Sequence, residues 1–133
     1  MPRRSKKPEP LRVLIVDDQR LFAEALETIL AADERLEVVG QASDGSEAVE
    51  LARTLRPDIV LMDVSMPVLD GFEATREIRA ASESVRVLML TGSNSRADVD
   101  RSRDAGASGY VTKDRIASEL VTAIVEVTKR RLP

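Results

Sequence analysis

The sequence predicts an α/β domain in which parallel strands alternate with helices to build one doubly wound sheet. Three observations predict it. Apolar runs of four recur at Val13-Leu14-Ile15-Val16, Ile59-Val60-Leu61-Met62 and Val87-Leu88-Met89-Leu90, and unbroken runs bounded by polar residues mark strands buried on both faces. Between them lie stretches with apolar residues three and four apart, the helical period. The strands also end in small polar or charged residues: Asp17 and Asp18, Asp63, Thr91, and Lys113 after Tyr110-Val111-Thr112. Ligands of such sheets sit outside the carboxyl ends of the strands. Three carboxylates, a hydroxyl and an ammonium at one rim therefore point to a phosphate and metal site.

Taken in order, residues 1–10 hold Arg3, Arg4, Lys6, Lys7 and three prolines with no apolar period, and read as a disordered basic leader. The folded domain is expected over 11–131. Strand 1 is expected at 11–16. Helix 1 follows over 19–32 and turns Phe22, Ala25, Leu26, Ile29 and Leu30 to one face. Strand 2 is expected at 36–42. Asp44 can cap helix 2, with Glu47 completing a capping-box pair, and Pro57 stops that helix near Arg56. It buries Ala48, Leu51, Ala52 and Leu55.

Strand 3 is expected at 59–62, followed by a loop over 64–70 in which Pro67 fixes one φ angle. Asp70-Gly71 opens helix 3, which faces the sheet with Phe72, Thr75 and Ile78. Strand 4 is expected at 85–90. Helix 4, over 95–105, is the least apolar, with only Ala97, Val99 and Ala105 against six charges, so it should be among the least protected elements. Gly106 is its expected C′ cap. Strand 5 covers 109–112. Helix 5 covers 116–130 with Ile116, Leu120, Ile124 and Val127 inward, and Val121 and Val125 in a second row. Lys129, Arg130 and Arg131 complement the negative end of its dipole.

Composition narrows the chemistry. One domain fits the 133 residues, of which 43% are hydrophobic and 32% charged. A net charge of -3 supplies no broad basic surface for nucleic acid. With neither Cys nor His, thiolate and imidazole chemistry are excluded. Neither a membrane-spanning run nor a signal peptide is readable, and the cytoplasm is the expected compartment.

Asp17, Asp18 and Asp63 place like charges together, which is costly without a cation. An oxygen-only donor set selects a hard ion, and Mg²⁺ fits best. A carboxylate beside such an ion can attack phosphorus and become an aspartyl phosphate. Asp63 is the best nucleophile because it stands alone at a strand end. Lys113 offers a point charge and Thr91 a hydroxyl donor to phosphoryl oxygens.

The same residues carry a resemblance. Val13 to Asp18, Leu61 to Pro67 followed by Asp70-Gly71, Leu90-Thr91-Gly92 and Ala105 to Lys113 resemble a response-regulator receiver domain, CheY-like and most similar to the NarL/FixJ-type subfamily. The resemblance covers roughly 11–129. It implies a flavodoxin-like five-stranded sheet of order 2-1-3-4-5, which the pattern alone does not reveal. It implies that Asp63 is the phosphoacceptor, phosphorylated by a histidine kinase or a small phosphodonor. Asp18, Asp63 and the Ser65 backbone carbonyl would ligate Mg²⁺, with Asp17 acting through water. Lys113 and Thr91 would bind the phosphoryl group, and Thr91 with Tyr110 would form the switch pair. The face of helix 4, strand 5 and helix 5 would meet a second protomer or an output domain. No nucleic acid or membrane is expected to bind this domain itself. Transcription regulation follows if a DNA-binding domain continues beyond Pro133.

There are departures from the family pattern. Gln19 stands where the subfamily often has His, Asp114 where many receivers have Pro, and Ser102 and Arg103 where relatives carry small or apolar residues. Three other readings compete. A haloacid-dehalogenase-type phosphatase also uses a strand-end Asp, Mg²⁺, Thr and Lys, but it needs a second Asp where Ser65 stands. A flavodoxin-like flavin module would want more aromatic residues than Phe22, Phe72 and Tyr110. A non-phosphorylated pseudo-receiver would not need the intact acidic site.

Overall fold

A computed structural model describes residues 9–66, 68–92 and 95–129. Ten elements alternate in chain order: β1 (Leu11–Val16), α1 (Arg20–Ala31), β2 (Leu36–Ala42), α2 (Gly45–Leu55), β3 (Ile59–Asp63), α3 (Gly71–Ala81), β4 (Arg86–Thr91), α4 (Arg96–Ala105), β5 (Gly109–Thr112) and α5 (Ile116–Lys129). A 3₁₀ turn, Lys113–Arg115, joins β5 to α5. All five strands run parallel in the order β2-β1-β3-β4-β5. The leader, apart from Glu9 and Pro10, lies outside the described residues, as do Pro67, Arg130 and Arg131.

Period-two alternation along the central strands divides the core. Val13, Ile15, Ile59, Leu61, Leu88 and Leu90 face α1 and α5. Their neighbours Leu14, Val16, Val60, Met62, Val87 and Met89 face α2, α3 and α4. Both sets are almost wholly buried, which is why these strands read as continuous apolar runs. Each such side chain contributes about 1.5–3 kcal/mol by leaving water.

Several expectations need adjustment. The buried stripe of α1 is Ala23, Leu26 and Leu30, while Ala25 is exposed. Alanine gives a helical stripe little direction, and the heavier side chains turn the helix so that position 23 faces the sheet. In α2, Leu51 and Leu55 are only half-buried. Strand β3 extends one residue to Asp63, and β4 runs 86–91, so both site residues are held by the ladder itself. In α4, Ala105 is buried as expected and Ser102 is buried beside it, its hydroxyl donating to the Asp98 carbonyl at 3.0 Å. Ala97 is exposed. Val121 packs against the α1–α5 core, which widens that stripe, and Val125 is half-buried.

The helix ends follow local chemistry. The Asp44 and Asp70 carboxylates accept from the Glu47 and Glu73 amides at 2.8 and 2.9 Å. The Glu47 carboxylate accepts from the Ser43 amide, one residue beyond the usual capping-box partner. Gly106 closes α4 with φ 102, as expected. Before Pro57, Arg56 adopts φ 50 and ends α2. Arg12 then caps that end from β1, its guanidinium donating to the Leu55 and Arg56 carbonyls at 2.7 and 2.9 Å.

One glycine sets the approach of α3 to the strand-end rim. A Cβ at Gly71 would overlap the Asp63 carbonyl oxygen, whereas one at Gly92 would meet nothing within 4 Å. Gly71→Ala is therefore expected to cost about 2–4 kcal/mol, and Gly92→Ala less than about 0.5 kcal/mol. Urea unfolding of the two variants checks the contrast. Equal losses would mean that α3 can back away from β3.

Candidate functional site at the strand ends

Parallel pairing brings the polar ends of β1, β3 and β4 to one rim. Ligand oxygens of Asp17, Asp18 and Asp63 lie within 4.8 Å of one another. Asp17 and Asp63 are each 3% exposed, and Asp18 is exposed. Asp17 does not cap α1 through its side chain; its Oδ1 accepts from the Gln19 amide at 2.8 Å. Its Oδ2 is buried and, among the described residues, has no hydrogen-bond partner. Lys113, at the start of the turn after β5, places Nζ 3.1 Å from Asp63 Oδ1. The Ser65 amide also donates to Oδ1, at 3.3 Å. Both contacts fall on one carboxylate oxygen, so among the described residues Oδ2 is left for other chemistry.

Burial is the main cause of the charge state here. It pushes the Asp63 carboxyl above the usual range, and the Lys113 ammonium, as hydrogen-bond donor and as charge, pulls it back in part. Burial likewise raises Asp17, with the charges of Asp63 and Asp18 adding to it and the Gln19 amide opposing. The donor set, all carboxylate oxygen and including one orphaned buried atom, fits a hard divalent cation such as Mg²⁺.

The three carboxylates do not stand alone. Asp18, Asp63, Thr91 and Lys113 line one cleft of about 740 Å³, together with Phe72 and Arg101. Thr91 is buried at the end of β4. Tyr110 is outside this cleft: it is 39% exposed and borders a smaller hollow of about 180 Å³ with Val99 and Ser102. Two contacts were not anticipated from the sequence. The Lys113 ammonium sits 4.9 Å from the Phe22 ring centroid, and the Arg101 guanidinium 4.1 Å from that of Phe72. Phe72 lies in the core and Phe22 packs half-buried against it, as expected, and each ring also meets a cation of the cleft.

With this geometry in place, the sequence profile of the response regulator receiver domain matches residues 13–125. The chain belongs to that family. This receiver domain is 43% identical over 117 residues to the transcriptional regulatory protein LnrK of Bacillus subtilis, a match covering 88% of the chain and 53% of LnrK. The signal receiver domain of the putative response regulator NarL from Mycobacterium tuberculosis superposes with a TM-score of 0.87 at 34% identity. That superposition covers 92% of this chain and 98% of the NarL chain. A CheX-CheY-BeF3-Mg²⁺ complex from Borrelia burgdorferi contains a chain of TM-score 0.83 and 28% identity, with 89% of each chain covered. The receiver domain spans about half the length of the curated relatives it matches. It is thus a receiver domain of the two-component response regulators, with the expected flavodoxin-like fold and sheet order. Membership of the receiver family favours the receiver reading over the haloacid-dehalogenase-type and flavin readings. Among the described residues, no helix is long and apolar enough to cross a membrane.

Proposed function

We propose that Asp63 is the phosphoacceptor of this receiver domain, taking a phosphoryl group from a histidine kinase or a small phosphodonor. The observation that carries the proposal is the division of labour on one carboxylate. Oδ1 is fixed by Lys113 Nζ and the Ser65 amide, and Oδ2 is left to attack phosphorus. Asp18, Asp63 and the Ser65 backbone carbonyl would hold Mg²⁺, with Asp17 acting through water. Bound there, the ion would supply positive charge to the phosphoryl oxygens. Lys113 and the Thr91 hydroxyl would hold phosphoryl oxygens once the bond has formed. A CheY relative in complex with CheX, BeF3 and Mg²⁺ supports both the metal and the phosphoryl reading.

Thr91 and Tyr110 are proposed as the switch pair. Thr91 ends β4 in the cleft, and Tyr110 on β5 pairs in register with Met89, two residues earlier on β4. Movement of Thr91 toward a phosphoryl group would change the space beside Tyr110 and reshape the face of α4, β5 and α5. That face is proposed to meet a second protomer or an output domain. The name of LnrK points to transcription regulation by the whole protein, and the cytoplasm is proposed as its compartment. The domain is read as a regulator spanning 11–131 rather than as an enzyme.

Incubation with acetyl phosphate and Mg²⁺ tests the proposal. Intact-mass spectrometry should show one phosphoryl group per chain, lost on chelation of the metal before the reaction. A chain that stays unmodified at saturating donor and Mg²⁺ would favour the pseudo-receiver reading.

A further inference from the structure

Arg101 has no part in the mechanism just described, yet it is held at the site in a particular way. It is exposed on α4 and, among the described residues, makes no hydrogen bond or ion pair, unlike Arg103, which reaches Asp100 at 3.4 Å. Its partner is the Phe72 ring, and Phe72 is 3% exposed and therefore fixed by the core. A guanidinium held against a ring in this way spends none of its N–H donors on the contact, so they are left for an anion. Asp70 and Asp98 line the same cleft without pairing with it.

We infer that Arg101 is a specificity-determining residue that receives the departing anion of an acyl-phosphate donor. The inference rests on Asp63 being the phosphoacceptor. In that step Asp63 Oδ2 forms a bond to phosphorus while the bond from phosphorus to the acyl oxygen breaks. The carboxylate leaves with the electron pair, and no proton is transferred. In-line displacement puts the leaving group opposite the nucleophile, facing the outer part of the cleft. Lys113 is engaged at the Asp63 end, 3.1 Å from Oδ1. Among the described cleft residues, the other cation is Arg101, and a guanidinium fork matches a carboxylate with two parallel hydrogen bonds. Phosphoramidate releases neutral ammonia instead, which gives Arg101 nothing to hold.

Initial rates of phosphoryl uptake from acetyl phosphate and from phosphoramidate, with Mg²⁺, test this in wild type, Arg101→Ala, Arg101→Lys and Phe72→Leu. The ratio of the two rates should fall roughly five- to tenfold in Arg101→Ala. It should recover in part in Arg101→Lys, and fall again in Phe72→Leu, where the arginine loses its platform. In variants that unfold at the wild-type temperature, an unchanged ratio overturns the inference while leaving Asp63 as acceptor. A wild type that takes phosphoryl from neither donor removes the acceptor reading and this inference together. Thermal unfolding of each variant identifies a folding defect, which would lower both rates alike.

Discussion

Asp63→Asn is expected to lower phosphoryl uptake from acetyl phosphate by more than about a thousandfold, because an amide oxygen is a far poorer nucleophile than a carboxylate. The fold should survive the change. Asparagine is close in shape, it keeps an acceptor for the Ser65 amide and Lys113, and it removes a charge that burial disfavours. Loss of uptake with unchanged unfolding would therefore report chemistry alone. Asp17 and Asp18 are nearby carboxylates, but Asp17 Oδ1 is occupied by the Gln19 amide and Asp18 is exposed at the rim. Neither is fixed by a lysine as Asp63 is. Substantial uptake by the variant would move the acceptor to one of them.

Asp17→Asn should show its effect in stability instead. In metal-free protein near neutral pH it is expected to stabilise the fold by about 1–2 kcal/mol. Burial first, and then the charges of Asp63 and Asp18, raise the Asp17 carboxyl above its ordinary value of 3.8. A carboxyl raised in the folded state holds its proton more tightly there than in the unfolded chain. Stability therefore falls as pH rises from 3.8 through the folded value, and the full penalty applies above it. Asparagine retains the acceptor for the Gln19 amide and turns an NH₂ group toward the carboxylates. The gain should shrink as pH is lowered toward 3.8, and shrink again with saturating Mg²⁺, which offsets the same repulsion in wild type. Urea unfolding at neutral and acid pH, with and without Mg²⁺, measures all three arms. A variant less stable than wild type at neutral pH would mean that Asp17 makes a favourable interaction as an anion.

What could be read from the sequence depended on how locally each feature is encoded. Strands β1, β3 and β4 are buried on both faces, so their apolar runs announced themselves, and their polar termini announced the rim. The caps at Asp44, Asp70 and Gly106 are local motifs and were legible for that reason. Sheet order is not encoded in any local pattern, and it came only through the family resemblance. The face of α1 was misjudged at Ala25 because small side chains carry little weight in an apolar stripe. Ser102 looked like a polar intrusion, yet its hydroxyl is satisfied by its own helix. The caps and stacks made by Arg12, Lys113 and Arg101 join residues from different elements, and long flexible cations give no sequence signal of where they end.

The central claim is that one carboxylate, at the end of β3, receives the phosphoryl group. Borohydride reduction of the acetyl-phosphate-treated protein, followed by peptide mapping, locates that residue directly, because an aspartyl phosphate is reduced to homoserine. Homoserine at position 63 and at neither 17 nor 18 is the predicted result. Homoserine at position 17 or 18, with position 63 unchanged, would contradict the account.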